Sequence, residues 1–112
     1  MNTMRSVCLR SESAPAPAGS GAALKRLTGH LCARMRELEE IGLTVGGELS
    51  EGLVTIRFFG RDNAGAAVWL EEKRRIRTGY DAGTDMILMQ VTDAVTFEDL
   101  DYVQGAVMEL LT

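Results

Sequence analysis

The 112-residue sequence predicts an α+β fold of two layers, with helices laid on a small, mainly antiparallel sheet. Three observations carry that prediction. A leucine-rich stripe at helical spacing opens the body of the chain. Apolar runs of strand length, alternating or continuous, fill its middle. Near the end, a strand passes into a helix through "VTFEDLD", residues 95–101. Helices this amphipathic need an apolar sheet face to cover, and a chain of this size buries one core.

From Ala22, the residues Leu24, Leu27, Leu31, Met35 and Leu38 recur at intervals of three and four, with Ser20 placed to cap the helix and Gly42 to stop it. In "LTVGGEL", residues 43–49, Leu43, Val45 and Leu49 share one parity, which predicts a strand that its two glycines weaken. "SEG" at 50–52 turns the chain into "LVTIRFF", where Val54, Ile56 and Phe58 alternate with Thr55 and Arg57, a strand with one wet face. Asp62 or Asn63 caps a short helix over residues 64–75, with Ala66, Trp69 and Leu70 as its buried positions. "IRTG", residues 76–79, is a brief edge-like strand, and residues 80–84 read as a loop. "MILMQV", residues 86–91, is a continuous apolar run, the mark of a central or doubly covered strand.

The last helix is specified three ways at once. Thr96 and Asp99 form a capping box, Val95 and Leu100 a hydrophobic staple, and Glu98, Asp99 and Asp101 place negative charge at the positive end of the dipole. Leu100, Val103, Val107 and Leu110 are its buried stripe. The order is therefore α-β-β-α-β-β-α, without an internal repeat.

Both prolines fall in "SESAPAPAGSG", residues 11–21, a linker composition. Residues 1–21 are thus expected to be a flexible N-terminal tail and residues 22–112 a single domain. At 46% hydrophobic and 25% charged, the composition is that of a soluble globular chain. A net charge of −4 and 5% aromatic residues argue against nucleic acid as a partner. The two cysteines, Cys8 and Cys32, form no CxxC pair and are too few for a disulfide framework, which points to a reducing cytoplasm. Neither a signal sequence nor a membrane span is readable, so no membrane partner is expected.

Few residues invite a chemical role. His30 is the one histidine. A catalytic base needs an orienting partner and a cleft, and local sequence supplies neither, so it reads as a structural histidine at the edge of the helix's buried face. Cys32 reads as a small buried hydrophobe, with Arg34 and Arg36 as slender grounds for a nucleophile. His30 and Cys32 alone do not make a metal site. "EEKRRIR", residues 71–77, is explained by pairing along a solvated helix end. "GYDAGTD", residues 79–85, is the most site-like loop, with one tyrosine, two aspartates and glycines that let the backbone approach a ligand.

An α-β-β-α-β-β-α run with "LEEIGL", "LVTIRFF", "LEEKRRIRTG", "MILMQV" and "VTFEDLDYV" in that order resembles the C-terminal small domain of fold-type I pyridoxal-phosphate enzymes. Within that group it is most similar to class V aminotransferases, cysteine desulfurases and threonine aldolases. The resemblance covers residues 22–111. It implies an active-site wall that works with a large domain, and the departures are as informative as the matches. The family's substrate-gripping arginine, on the strand before the last helix, falls at Leu88, which cannot make a bidentate carboxylate contact. The lysines are Lys25 and Lys73, both on expected helix surfaces, and the family's Schiff-base lysine, pyridinium-facing aspartate and phosphate loop belong to the large domain. The resemblance therefore implies no cofactor in this chain alone, with pyridoxal phosphate only if a large-domain partner exists. It implies no catalytic or metal-binding residue here, and it makes Arg77, Thr78 and Tyr80 the contact residues. The competing expectation is a non-catalytic α+β interaction module, self-associating through an exposed strand edge. An enzyme with an unrecognised site is the least supported reading.

Overall fold

The computed structural model describes residues 6–9, 21–92 and 94–112. Along these the chain runs β1 (Val7–Cys8), α1 (Gly21–Arg36), β2 (Leu43–Glu48), β3 (Leu53–Phe58), α2 (Asn63–Arg74), β4 (Ile76–Arg77), β5 (Gly79–Asp81), β6 (Met86–Gln90) and α3 (Phe97–Leu111). Short 3₁₀ turns at Glu39–Ile41 and Leu49–Glu51 flank β2. The fold is α+β in two layers, as the periodicities predict.

The main sheet is antiparallel throughout, in the order β2-β3-β6-β5. Register sets its two faces. Leu43 pairs with Phe58, Val45 with Ile56, and Val54 and Ile56 with Met89 and Ile87, so these side chains share the face toward the helices. Val54, Ile56, Ile87 and Met89 are all fully buried. Against them lie Leu27, Leu31, Met35 and Leu38 around α1, Ala66 and Leu70 of α2, and Leu100, Val103, Ala106 and Val107 of α3. The stripes expected for α1 and α3 thus face the core, with Leu24 and Leu110 half-buried at its margin.

The capping box at Thr96 is present in both directions. The Asp99 N–H donates to Thr96 Oγ1 at 3.1 Å, and the Thr96 N–H donates to Asp99 Oδ2 at 2.9 Å. Val95 and Leu100, the staple pair, are both buried.

Four differences from the sequence reading have physical causes. First, Val7–Cys8, assigned to the tail, is a strand parallel to β4. Val7 and Leu9 are buried at 1% and 0% exposure, because two apolar side chains at alternate positions find an open place in the core. Leu9 also ties the sheets together: its N–H donates to the Arg77 carbonyl at 2.8 Å, and its carbonyl accepts from the Gln90 N–H at 2.9 Å. The rest of the expected linker, residues 10–20, and the Ser20 cap lie outside the described residues.

Second, "IRTG" divides: Ile76–Arg77 pairs with β1 in a separate two-stranded sheet, while Gly79 and residues 80–81 of the expected loop pair with β6, which offers them hydrogen-bonding partners. Third, Leu49 leaves the strand for a 3₁₀ turn and is exposed, and Trp69 is half-buried, its ring stacked under the Arg74 guanidinium 5.0 Å away. Fourth, Asp62 holds the N-cap position of α2 without a side-chain cap bond, while Asn63 is buried and bonded elsewhere.

Candidate functional site

The sheet's second face is the first place to look. Thr44, Gly46, Thr55, Arg57, Met86, Leu88 and Gln90 point there, by the alternation that sends their neighbours into the core. A row of small and apolar groups crosses all four strands at Gly46, Thr55, Leu88 and Gly79, in direct register. A Cβ on Gly46 would lie 3.1 Å from Thr55 Oγ1, and one on Gly79 3.5 Å from the Leu88 Cβ, so the row is a shallow floor. Leu88 is half-buried at its centre. The floor is neutral; the cation on the neighbouring row is Arg57, 4.0 Å from Asp85.

Beside this face stands a polar cluster built on Asn63. Its Oδ1 accepts from the Phe58 N–H at 2.7 Å, and its Nδ2 donates to Asp85 Oδ2 at 3.0 Å and to the Phe58 carbonyl at 3.3 Å. Tyr80 donates its hydroxyl proton to the other Asp85 oxygen. Asp85 takes a left-handed backbone, φ 57°, that aims its carboxylate at both donors. Hydrogen bonds from Tyr80 and Asn63, then the charge of Arg57, hold the Asp85 carboxyl below the usual carboxylate range. The bond to Asp85, partial burial and the charges of Asp85, Asp62 and Asp81 raise the Tyr80 phenol. Tyr80 is therefore a neutral donor already committed to an acceptor.

A second cluster joins α1 to α3. His30 Nε2 lies 2.8 Å from Asp101 Oδ1, and Arg34 Nε donates to the same oxygen at 3.1 Å. The carboxylate only accepts, so the facing imidazole nitrogen carries the proton. The His30 bond, then the charges of His30 and Arg34, hold the Asp101 carboxyl below its usual range. Phe97 packs edge-on against the imidazole with centroids 5.0 Å apart. Gln104 continues the seam, donating to Glu37 at 2.9 Å. His30 thus has the orienting carboxylate that local sequence did not reveal. Asp101 is half-exposed, and the contacts it makes are those of an interhelical clamp.

The three expected contact residues are adjacent in sequence but face different surroundings. Arg77 is exposed on β4, its Nε 4.0 Å from Glu71. Thr78 is buried at 4% exposure. Tyr80, across from Ile87, turns to Asp85. Lys25 and Lys73 are both exposed on helix surfaces. Among the described residues, no group of three or more His, Cys, Asp or Glu side chains is placed to hold a metal ion, and no helix is long and apolar enough to cross a membrane.

Sequence reasoning missed the His30–Asp101 pair, the Asn63 cluster and β1. His30 with Asp101 and Asn63 with Asp85 join positions far apart in sequence and leave no local signal. The alternation of Val7 and Leu9 was a readable strand signal, outweighed by the linker that follows it.

Comparison with solved structures now bears on the sheet. The chain superposes on the crystal structure of an alanine–glyoxylate aminotransferase from Nostoc sp. with a TM-score of 0.62 and 22% identity, covering 86% of this chain and 28% of that one. The likeness is one of fold. It establishes a structural relationship in which this chain spans about a quarter of the aminotransferase's length. No family model matches the sequence, and no curated protein matches it.

Proposed function

We infer that the chain is a small domain of the fold-type I pyridoxal-phosphate kind, of the aminotransferase and lyase branch, that forms one wall of an active site completed by a large domain. The observation that supports this most is the superposition of nearly the whole chain on a minor part of an aminotransferase. The helix-free sheet face, with Leu88 at its centre, is the surface this reading assigns to the site. The chain's own residues do not fit the cofactor. Pyridoxal phosphate needs an amine to hold it and an acid to tune its ring nitrogen, and both lysines stand exposed on helix surfaces. No chemical step is therefore assigned to this chain, and its role is to position and enclose.

The test is a pair of titrations. Pyridoxal phosphate added to the purified chain should give no bound-cofactor absorbance. The same chain added to a cofactor-loaded large domain, from an aminotransferase trimmed of its small domain, should bind and restore amino-group transfer. Cofactor fixed by borohydride to Lys25 or Lys73, with absorbance in the chain alone, would overturn the reading; so would failure to associate with any large domain.

A second reading, a non-catalytic α+β interaction module in the cytoplasm, is favoured by the exposed Phe59 and Ile41 beside the end of β3, 66% and 51% accessible. Self-association of the full chain without any large domain would support it.

A further inference from the structure

Of the two edges of the main sheet, β2 is the longer, six residues against three in β5. Residues along an antiparallel strand direct their backbone groups alternately to one side and the other. The Phe59 N–H donates to the Gly42 carbonyl at 3.0 Å, so in the β2–β3 register Thr44, Gly46 and Glu48 bond toward β3. Leu43, Val45 and Gly47 turn theirs outward, and among the described residues no strand pairs with that side. From Leu43 to Gly47 the edge holds neither charge nor proline, the devices that usually keep an edge strand from pairing. Gly46 and Gly47 leave room there for another backbone to approach closely.

The edge is symmetric about Val45. The outward positions 43, 45 and 47 are centred on it. So are two exposed apolar residues just beyond the strand, Ile41 at 51% and Leu49 at 44% accessibility, each four positions from Val45. A two-fold axis at Val45 sets two copies of β2 side by side and antiparallel. Val45 then faces Val45, Leu43 faces Gly47 and Thr44 faces Gly46, so each glycine meets a residue with a side chain. All three outward positions fall in hydrogen-bonded pairs, whereas a shift by one residue would break that match. Ile41 of each copy comes beside Leu49 of the other. A foreign strand need not share this spacing; a second copy has it by symmetry. Acids stand at the rim, where Glu39 comes opposite Glu51 of the second copy, and salt screens their repulsion.

We propose that β2 is a self-pairing edge that joins two copies of this chain, antiparallel and centred on Val45, into one continuous sheet. The strip is small beside the ~1,200 Å² or more that a stable interface buries, so the dimer is weak and forms at high protein concentration. The proposal deepens the interaction-module reading and makes no use of a large domain.

Sedimentation equilibrium of the full chain, from about 10 µM to about 1 mM in low and high salt, measures the dimer. It should appear as concentration rises, and more readily in high salt. The Val45 N–H should gain exchange protection with it. In low salt, Ile41→Glu should weaken association about tenfold, because the two-fold brings the new charge twice against the acidic rim of the other copy. Adding Leu49→Lys should restore most of that loss. Adding Val68→Lys instead should not, since Val68 lies on α2, which packs over β5 and β6 at the far side of the sheet. Ile41, Leu49 and Val68 are all exposed, so circular dichroism should show the monomer fold unchanged in each variant. A chain that stays monomeric throughout overturns both the proposal and the self-associating module. Association that Ile41→Glu leaves unchanged, that Val68→Lys rescues as well as Leu49→Lys, or that leaves Val45 exchange at its dilute rate overturns the β2 pairing alone.

Discussion

Leu9→Ala is the sharpest probe of how residues 6–9 belong to this protein. Leu9 is completely buried, so truncation removes most of a leucine side chain from the core and leaves a cavity at the meeting point of two sheets. Burial alone is worth about 1.5–3 kcal/mol for such a side chain, and the cavity raises the typical cost of Leu→Ala to about 2–5 kcal/mol. A loss of ~3 kcal/mol is a large part of the 5–15 kcal/mol typical of a domain, and at this chain length it lowers Tm by roughly 12 °C. The assay is urea and thermal unfolding followed by circular dichroism, with Cys8→Ala as the neighbouring control. Cys8 is exposed, so its truncation should stay within about 0.5 kcal/mol. The urea slope should be unchanged, marking a loss of stability rather than of compactness. Should Leu9→Ala match Cys8→Ala, residues 6–9 do not contribute to the core.

Thr96→Ala removes one arm of the capping box and should cost about 0.5–2 kcal/mol; Asp99→Ala should show non-additivity with it in a double-mutant cycle, and simple addition would mean the two arms are independent. Asn63→Ala leaves the Phe58 N–H buried without its partner and should cost about 1–3 kcal/mol, clearly more than Asp62→Ala at the cap position, which makes no side-chain bond. Acid unfolding should carry the signature of Asp101. Its folded carboxyl titrates below the usual value near 4, so the stability it contributes is complete above about pH 4 and is lost as pH falls through the lower folded value. Asp101→Asn should flatten the fall of the urea midpoint over that range while Asp85 and Glu109, also held low, keep the remainder. An unchanged pH profile in that variant would remove the His30–Asp101 pair from the stabilising contacts.

The helices were the most legible part of the chain. Leu27, Leu31 and Met35 repeat at a spacing that only a helix places on one side, and all three reach the core. The Thr96–Asp99 box was readable because both partners lie within one turn, and local chemistry alone satisfies their hydrogen bonds. "MILMQV" read as a central strand, and β6 indeed lies between β3 and β5. The edge was less legible. Residues 79–81 carry a glycine and an aspartate, poor strand formers, and become a strand because β6 presents unpaired backbone groups beside them. The candidate site was the least legible of all. The expected contacts Arg77, Thr78 and Tyr80 are consecutive or nearly so, yet the chain passes from one sheet to the other between them, and they reach the exposed side beside Glu71, the interior and Asp85 respectively.

Periodicity, caps and turn residues act within a few positions, so they settle where helices and inner strands form and which side of each is apolar. Pairings such as His30 with Asp101, Asn63 with Asp85, or Leu9 with Gln90 join positions that only the folded chain brings within reach. Their energies depend on distance in space and on water excluded by neighbours. Neither quantity is written in any local stretch of residues.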